Sequence, residues 1–332
     1  MSKVAFIAPA ATKGLRKHGK SDISHSIGGV AHLMDADTYF GVKCNDYKEM
    51  EQYDYLVINQ STTMYRLTME LRENLPSRIK IIAFADGAHQ DLTRIPFAPD
   101  GMLLIKALQV SDGFASIVED AVDYYSLFTN KPCSFLGIPF PYEEVKKFQI
   151  PPQQKHDKLV AINGQLTNAP LRNSIGGLFL VKKVKGVRAL LCEPERDKVA
   201  NFLLENHIVV DIHSTINYTE FYKRYSKCYV GISLDPLGSW GRYSLDLAGM
   251  GIPVIGGPVQ HTQKKLFPQL TFDPFLEMPK IISAYQRLFS DLSFYNECRN
   301  YALNIIQREF TNEKFVSRWD NLKEMINGKN KN

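Results

Sequence analysis

The segment CYVGISLDPLGSWGRYSLDLAGMGIPVIGG, at residues 228–257, predicts the fold of the second half of the chain. Its apolar run at residues 229–234 predicts a buried strand, and a glycine-containing loop follows. A short helix is predicted at residues 243–250, and a second parallel strand at residues 253–255. Ligands of α/β sheets bind outside the carboxyl ends of the strands, where backbone N–H groups and helix N-termini attract anions. The segment therefore predicts a parallel α/β sheet with a ligand site in this loop.

The composition indicates a globular protein of more than one domain. The chain has 332 residues, of which 44% are hydrophobic and 23% charged, so two α/β domains are expected. The five cysteines are odd in number, widely spaced and without a CxxC motif. They favour neither a disulfide framework nor a zinc site and are typical of a reducing compartment. The net charge of +5 permits a polyanionic partner without requiring one.

The sequence indicates neither a signal peptide nor a membrane span. The first ten residues, MSKVAFIAPA, lead directly into a predicted strand. No apolar run approaches the roughly 18 residues that a membrane span needs. We therefore expect a soluble protein of the cytoplasm.

Strands and helices alternate along the chain, which predicts open, mostly parallel sheets. In the first half, strands are predicted at residues 3–8, 38–42, 53–59 and 80–85, and the alternation continues at residues 103–110, 113–117 and 134–136. Pro151 and Pro152 mark a stiff connector. Beyond it, strands are predicted at residues 158–162, 188–192 and 207–211, with a helix that starts near Leu171. The predicted domains are residues 1–150 and 151–310, followed by a C-terminal helix at residues 311–332.

A second class of protein is suggested by the run GLRKHGKS, from Gly14 to Ser21, which matches the phosphate-loop pattern G-x-x-x-x-G-K-S. Residues 81–86 resemble the strand whose terminal Asp holds magnesium in such enzymes. Five residues separate the first strand from Gly14, and the variable positions are bulky where a phosphate-wrapping loop favours small residues. A basic surface loop is the alternative, with cations that can hold substrate phosphates: Lys13, Arg16, Lys17, His18 and Lys20.

Asp86 is the candidate general base. It directly follows the predicted strand at residues 80–85, with His89 nearby. A carboxylate at the carboxyl end of a buried strand can take the proton of an attacking hydroxyl group. An Asp that caps the following turn gives the same pattern.

The second half offers candidate ligands for a diphosphate. Asn163 and Gly164 end a predicted strand, and Arg172 follows on the next helix. Glycine lets a diphosphate approach the backbone, and a guanidinium group can bind it through two hydrogen bonds. Arg242 adds a second cation, although each Arg alone is also typical of a surface residue. The run Asp35-Ala36-Asp37 has the form of a metal-binding DxD motif, but its position predicts a turn.

Residues 246–255, DLAGMGIPVI, resemble the acidic, small, small, Gly-hydrophobic-Pro-Val-Ile stretch of GT-B glycosyltransferases. That family usually has Glu where this chain has Asp246, and a second Glu near the position of Gly238. In layout the chain is most similar to the phage DNA (hydroxymethylpyrimidine) β-glucosyltransferases, through YDYLVINQS at residues 53–61, KIIAFAD at residues 80–86 and residues 166–174. The resemblance implies an α/β fold of two Rossmann-like domains that face a central cleft, with a C-terminal helix that crosses back to the N-terminal domain.

The resemblance also implies a function. It implies a glycosyltransferase that moves a sugar from a nucleotide sugar, with a UDP-sugar as the expected co-substrate, to an acceptor hydroxyl with inversion. Asp86 would be the base, and the donor would bind Asn163, Gly164, Arg172, Gly238, Arg242 and Asp246. The acceptor would bind Lys13, Arg16, Lys17, Lys20 and His89. Neither a metal nor a tightly bound cofactor is implied.

Three acceptors or activities stay open at this point. The resemblance implies a 5-hydroxymethylpyrimidine in double-stranded DNA, which would have to be flipped out of the duplex, in the host cytoplasm if the protein is phage-encoded. A glycan or a small molecule is the alternative acceptor. A P-loop NTPase or kinase that uses residues 14–21 is the alternative of another class.

Overall fold

The chain folds into two compact units. The structure is a computed structural model that describes residues 2–9, 15–18, 27–41, 43–44, 46–86, 99–155, 158–167, 172–236 and 238–328. One unit comprises Met1–Phe140 together with Phe310–Asn332, and the other comprises Pro141–Glu309. The first unit is therefore built from both ends of the chain.

The first unit contains a seven-stranded sheet in the order β2-β3-β1-β4-β5-β6-β7. Its strands are β1 Val4–Ala8, β2 Arg16–His18, β3 Ala36–Phe40, β4 Tyr55–Asn59, β5 Lys80–Ala85, β6 Gly113–Ser116 and β7 Cys133–Phe135. All pairs are parallel except β2 with β3 at the edge. β1 and β4 are buried along their whole length, as is usual for parallel strands covered by helices on both faces.

Helices cover this sheet, and the last one comes from the C-terminus. They are α1 Ile27–Leu33, α2 Tyr47–Met50, α3 Thr62–Asn74, α4 Pro99–Val110, α5 Glu119–Ser126 and, for the C-terminal helix, Asn312–Ile326. Trp319 of the C-terminal helix meets the ring of Tyr55 edge-on, with 5.9 Å between ring centroids. Asn327, just beyond this helix, donates from Nδ2 to the Tyr55 hydroxyl over 2.6 Å. The C-terminal helix and Asn327 are thus anchored on β4.

The second unit contains a five-stranded, fully parallel sheet in the order β10-β9-β8-β11-β12. Its strands are β8 Leu159–Ile162, β9 Arg188–Cys192, β10 Val210–His213, β11 Cys228–Ser233 and β12 Val254–Gly256. The chain builds outward from β8 through β9 to β10, then returns to β11 on the other side of β8. The strand order therefore reverses between β8 and β11, which is the point where open α/β sheets bind ligands.

The helices of the second unit pack closely on its sheet. They are α6 Tyr142–Val145, α7 Ser174–Val181, α8 Arg196–Glu205, α9 Tyr218–Tyr225, α10 Arg242–Gly249, α11 His261–Leu266, α12 Met278–Ser290 and α13 Leu292–Glu309; the C-terminal helix at residues 312–326 is α14. Gly231 in β11 shows how close the packing is, because a Cβ atom there would lie 2.3 Å from Leu247 Cδ1 of α10. Only glycine lets the helix approach β11 so closely.

The predicted α/β fold is confirmed, with three local corrections. Residues 16–18 form strand β2, paired antiparallel with β3, rather than part of a loop. Ala36 and Asp37 lie in β3, so only Asp35 of the predicted DxD turn lies in a turn, with a φ of 53°. Arg172 is already helical, but Asn173 adopts a left-handed conformation (φ 48°) and interrupts the helix, so α7 itself begins at Ser174; Leu171 lies outside the described residues.

Candidate functional site

A pocket of about 500 Å³ opens in the second unit at the carboxyl ends of β8, β9 and β10. This volume lies in the range of small-molecule sites in proteins, which is roughly 300–1,000 Å³. The pocket is lined by Ile162, Asn163, Gly164, Gln165, Arg172, Cys192, His213, Thr215, Ile216, Phe221, Tyr225 and Tyr243. Three of the predicted donor ligands, Asn163, Gly164 and Arg172, are therefore brought together.

Gly164 lets the backbone turn sharply beside Arg172. Its φ is +89°, and a Cβ atom at this position would lie 2.5 Å from Arg172 Cβ and 2.7 Å from Ser174 Oγ. Any side chain would therefore meet both strain and a clash. The turn leaves a bare stretch of main chain next to a half-exposed guanidinium group, which is a suitable surface for a diphosphate.

Arg172 is held by a buried carboxylate. Its Nη1 forms an ion pair with Oδ2 of Asp235, a residue with no exposed side-chain surface, whereas the Arg172 side chain is 45% exposed. Asp235 lies two residues beyond the end of β11. The pair thus links the loop after β11 to the segment before α7.

A buried chain of polar groups joins the two strands at the reversal of strand order. Asn163 Nδ2 donates to Ser233 Oγ over 2.8 Å, and Gln260 Nε2 donates to the same oxygen over 2.9 Å. Ser244 Oγ of α10 donates to Gln263 Oε1 over 2.8 Å and lies 3.3 Å from Gln260 Oε1. Satisfied buried networks of this kind fix one geometry, so the ends of β8 and β11 are held rigidly.

Glu193 fixes the loop that carries Gly164. Its carboxylate is fully buried and accepts hydrogen bonds from the backbone N–H groups of Leu166 and Thr167, over 2.7 and 3.1 Å, and from the Thr167 hydroxyl. It also accepts from the N–H of Glu195. A carboxylate satisfied by several donors is a strong anchor. Residues 163–167 are therefore preorganised.

Aromatic rings form one wall of the pocket. Phe221 and Tyr225 of α9 stack with 4.2 Å between ring centroids. Tyr243 of α10 meets Tyr225 at 90° with 6.2 Å between centroids. Aromatic rings offer flat apolar faces on which a nucleobase can stack.

His213 at the end of β10 sets the direction of a hydrogen-bond chain at this wall. Its Nδ1 lies 2.6 Å from the Ser214 carbonyl oxygen, and its Nε2 lies 3.0 Å from the Tyr225 hydroxyl. A carbonyl oxygen only accepts, so Nδ1 carries the proton. Burial lowers the pKa of His213, which favours the neutral ring. In that ring Nε2 accepts, and the Tyr225 hydroxyl donates its proton to His213.

Arg242 and Asp246 face each other across one turn of α10. Arg242 Nε and the Tyr222 hydroxyl each donate to Asp246 Oδ1 over 2.9 Å. Asp246 is 3% exposed, and burial raises its pKa although both donors oppose this. Neither Arg242 nor Asp246 lines the pocket described above. Gly238 does not line the pocket either. Donor binding by Gly238, Arg242 and Asp246 stays a prediction.

In the first unit, Asp86 follows β5 and is held by β4. The parallel register sets Asn59 opposite Phe84, and Asn59 Nδ2 donates to Asp86 Oδ2 over 3.1 Å. Burial raises the pKa of Asp86, and the bond from Asn59 works in the opposite direction. A carboxylate with a raised pKa is a stronger base than an exposed one.

The predicted acceptor residues are only partly within the described structure. Lys17 lies on β2, where its Nζ forms an ion pair of 2.7 Å with Asp37 Oδ2. The backbone of Arg16 also lies in β2. Lys13, Lys20 and His89 lie outside the described residues, as do Gly14 and Ser21 at the ends of the phosphate-loop match. All four variable positions are described, and three of them, residues 16–18, form a paired strand, which is not the conformation of a loop wrapped around phosphate.

Sequence reasoning missed most of the pocket. Cys192 ends a predicted strand, whereas His213 ends β10, which lies at residues 210–213 rather than at the predicted 207–211. Polar or reactive residues at strand ends would have been a usable signal. The aromatic wall left a weaker signal, because Phe221 and Tyr225 repeat at helical spacing like ordinary core residues. Asp235 and Glu193 were missed because a buried carboxylate cannot be told from an exposed one by sequence alone.

Comparison with known proteins identifies the fold. No protein-family model matches the sequence, and no curated protein matches it. Similar solved structures include sucrose-phosphate synthase from Thermosynechococcus elongatus, with a TM-score of 0.72 and 12% sequence identity over 98% of this chain and 100% of that one. Anabaena HepE in complex with UDP and glucose has a TM-score of 0.69 and 10% identity, covering 98% of this chain and 100% of that one.

A third similar structure is an alpha-glucosyltransferase in complex with UDP and a 13-mer DNA containing an HMU base. Its TM-score is 0.65 and its identity 13%, covering 98% of this chain and 100% of that one. These neighbours are GT-B glycosyltransferases. The two parallel α/β units therefore form the GT-B fold.

Among the described residues, no group of three or more His, Cys, Asp or Glu side chains is arranged to hold a metal ion. Within the same part of the chain, no helix is long and apolar enough to cross a membrane. All five cysteines are free thiols.

Proposed function

We propose that the protein is a glycosyltransferase that takes a sugar from a nucleotide sugar. The observation that carries this proposal is the pocket in the second unit, which combines a flat aromatic wall, a bare glycine turn and an arginine. The aromatic wall suits the base of a nucleoside diphosphate, and the glycine turn and the arginine suit its diphosphate. The GT-B fold and the UDP in two similar structures support it.

The donor binds the second unit in this proposal. The base stacks on the wall formed by Phe221, Tyr225 and Tyr243, and the diphosphate lies between Gly164 and Arg172. The guanidinium group and backbone N–H groups offset the charge of the leaving diphosphate, so the proposal needs no metal. The resemblance assigns the ribose hydroxyls to Asp246, which does not line the described pocket; Oδ2 would be the contacting atom, since the hydrogen bonds from Arg242 and Tyr222 both end on Oδ1.

Asp86 is the proposed general base. The acceptor oxygen attacks the anomeric carbon, its proton passes to the Asp86 carboxylate, and the bond from carbon to the phosphate oxygen breaks with its electron pair on the diphosphate. Attack opposite the leaving group inverts the anomeric configuration. The raised pKa of Asp86 supports this role. A product that retains the donor configuration would remove the need for this base.

We propose a hydroxymethylated pyrimidine in DNA as the acceptor. The support is the similar alpha-glucosyltransferase, which was solved with a DNA that contains an HMU base, together with the basic residues at positions 13–20. The pairing of Lys17 with Asp37 reduces the charge available there. A glycan or a small molecule is the alternative acceptor, and the similarity to sucrose-phosphate synthase supports it.

The donor is tested by a thermal-shift panel of UDP-, GDP- and ADP-sugars. A ligand at one hundred times its Kd stabilises the folded state by about 2.7 kcal/mol, so one donor should raise the Tm measurably. If no nucleotide sugar raises the Tm, the glycosyltransferase proposal fails. The active donor is then incubated with hydroxymethylated DNA, unmodified DNA of the same sequence, and sugar phosphates. Proton NMR of the product reports the anomeric configuration.

A further inference from the structure

We infer that Asp235 is a positioning residue, which holds Arg172 in the orientation that binds the donor diphosphate. This inference rests on the proposed function and extends it to a carboxylate that touches neither base nor sugar. Its basis is the ion pair between Arg172 Nη1 and Asp235 Oδ2. Arg172 lines the pocket, whereas Asp235 does not.

The burial of the two partners gives each a different role. The Asp235 side chain has no exposed surface, so its carboxylate cannot turn toward solvent, whereas the Arg172 side chain is 45% exposed. A guanidinium group has five N–H donors in a rigid plane. With Nη1 on Asp235, the other nitrogens of that plane stay available to a ligand in a fixed direction. The buried carboxylate therefore orients the arginine rather than competing for the whole of it.

The base of the same side chain is also restrained. Arg172 Cβ and Cγ lie 2.5 and 2.8 Å from the position that a Cβ atom on Gly164 would occupy, so the stem of the arginine crosses directly over the glycine turn. Asp235 fixes the far end of the side chain. An unrestrained arginine would lose side-chain conformational entropy when it binds a diphosphate. Because Asp235 already restrains Arg172, this entropy cost does not reduce the affinity for the diphosphate.

Asp235 is itself well placed to act as the fixed point. Ser233, two residues before Asp235, accepts hydrogen bonds at Oγ from Asn163 Nδ2 and Gln260 Nε2 inside the buried polar chain. The loop after β11 is therefore tied to the end of β8, which carries Gly164. One rigid frame holds both the glycine turn and the anchor of the arginine.

The test compares a nucleoside diphosphate with its parent nucleoside. Binding of UDP and of uridine is measured by calorimetry on the full chain, for wild type, Asp235→Asn, Arg172→Ala and the double variant. We expect Asp235→Asn to weaken UDP binding roughly three- to tenfold, the cost of ordering one long side chain, and to leave uridine binding unchanged. In the Arg172→Ala background the same change should have no further effect on UDP affinity. A general structural defect would weaken both ligands.

A matched control and three outcomes make the test decisive. The control is Asp211→Asn, which removes the carboxylate of another ion pair in the same unit, Arg188 Nη1 with Asp211 Oδ1 at 3.3 Å. Neither residue lines the pocket, so this variant should leave UDP affinity unchanged. Stronger UDP binding by Asp235→Asn would overturn the inference, because Asp235 would then compete with the diphosphate. Equal loss of UDP and uridine binding would overturn it too. Absence of UDP binding by the wild type would instead refute the proposed UDP donor, and the inference with it.

If Asp235→Asn fails to fold, Arg172→Lys gives the same information. Lysine keeps the charge and can still pair with Asp235, but its single ammonium group cannot bridge carboxylate and diphosphate in a fixed plane. We expect it to weaken UDP binding nearly as much as Arg172→Ala and to leave uridine binding unchanged. Wild-type affinity for UDP in Arg172→Lys would show that orientation is unimportant.

Discussion

Asn59 Nδ2 lies 3.1 Å from Asp86 Oδ2, so the strand next to β5 supplies a hydrogen bond to the proposed base. The bond favours the charged carboxylate, whereas burial raises the pKa of Asp86. The balance between these two effects sets the pH at which the base becomes active.

Asp86→Asn should abolish transfer and leave donor binding intact. The amide cannot take a proton, and the loss of a general base costs about 10²- to 10⁴-fold in rate. The measurement is kcat for sugar transfer beside the Tm shift given by the donor. A variant that keeps more than a tenth of wild-type kcat would contradict the assignment of the base.

Asn59→Ala should move the acidic limb of the pH–rate profile to higher pH. Removal of the hydrogen bond leaves burial unopposed, so the pKa of Asp86 rises further and more of the base is protonated at a given acidic pH. The profile of kcat/KM between pH 4 and 8 measures this. Gln60→Ala, which removes the neighbouring amide that donates to the Ile58 carbonyl, is the control and should not move the limb. A shift toward lower pH would contradict the prediction.

Gly164→Ala should weaken both the fold and donor binding, and Gly186→Ala separates the two causes. Both glycines have positive φ, +89° and +76°, so each alanine costs about 1–2 kcal/mol in the left-handed region. Nothing lies within 4 Å of a Cβ at Gly186, whereas one at Gly164 meets Arg172. Denaturant unfolding and UDP affinity are measured for both. Equal effects would show that the contact with Arg172 is unimportant.

The sequence predicted the sheets better than the site, for physical reasons. Residues 80–85 and 188–192 were placed without error because buried parallel strands are continuous apolar runs with sharp ends. The resemblance singled out Asp246, and the structure shows that it is buried. Its partner Tyr222 was not predicted, because that contact joins separate helices and leaves no periodic signal. The ion pair of Asp235 with Arg172 was missed for the same reason.

Asp246→Asn should destabilise the second unit strongly. The Arg242 side chain is 19% exposed and Asp246 5%, and removing one partner of a buried pair costs about 3–5 kcal/mol, because the other charge stays behind. The free energy of unfolding in urea measures this cost. Glu195→Gln, which removes the partner of Lys198 in a pair of 2.8 Å that is largely exposed, should cost less than about 1 kcal/mol. Similar losses in both variants would contradict the burial argument.

Lys155→Met should stabilise the protein, and more so at pH 6 than at pH 9.5. Lys155 is 7% exposed and donates to the Cys228 carbonyl over 2.8 Å, and burial, with Arg299 nearby, lowers its pKa to about 7. Below pH 7 the folded chain must bury the ammonium charge at full cost. Above it the folded chain releases the proton while the unfolded chain keeps it up to the ordinary pKa of 10.5. The stability of the wild type therefore rises with pH in this window, by at most about 1.4 kcal/mol per pH unit.

Urea unfolding of wild type and Lys155→Met at pH 6, 7.5 and 9.5 measures the difference directly, and other titrating groups cancel between the two proteins. The advantage of the methionine should shrink steadily as the pH rises, because the wild type no longer buries a charge. Lys182→Met is the matched control, since Lys182 also donates to a backbone carbonyl, that of Asn206 over 2.9 Å, but at the surface. It should change stability by less than about 0.5 kcal/mol at every pH. An advantage of Lys155→Met that is the same at pH 6 and pH 9.5 would show that Lys155 keeps an ordinary pKa in the folded chain and stays charged across the whole range.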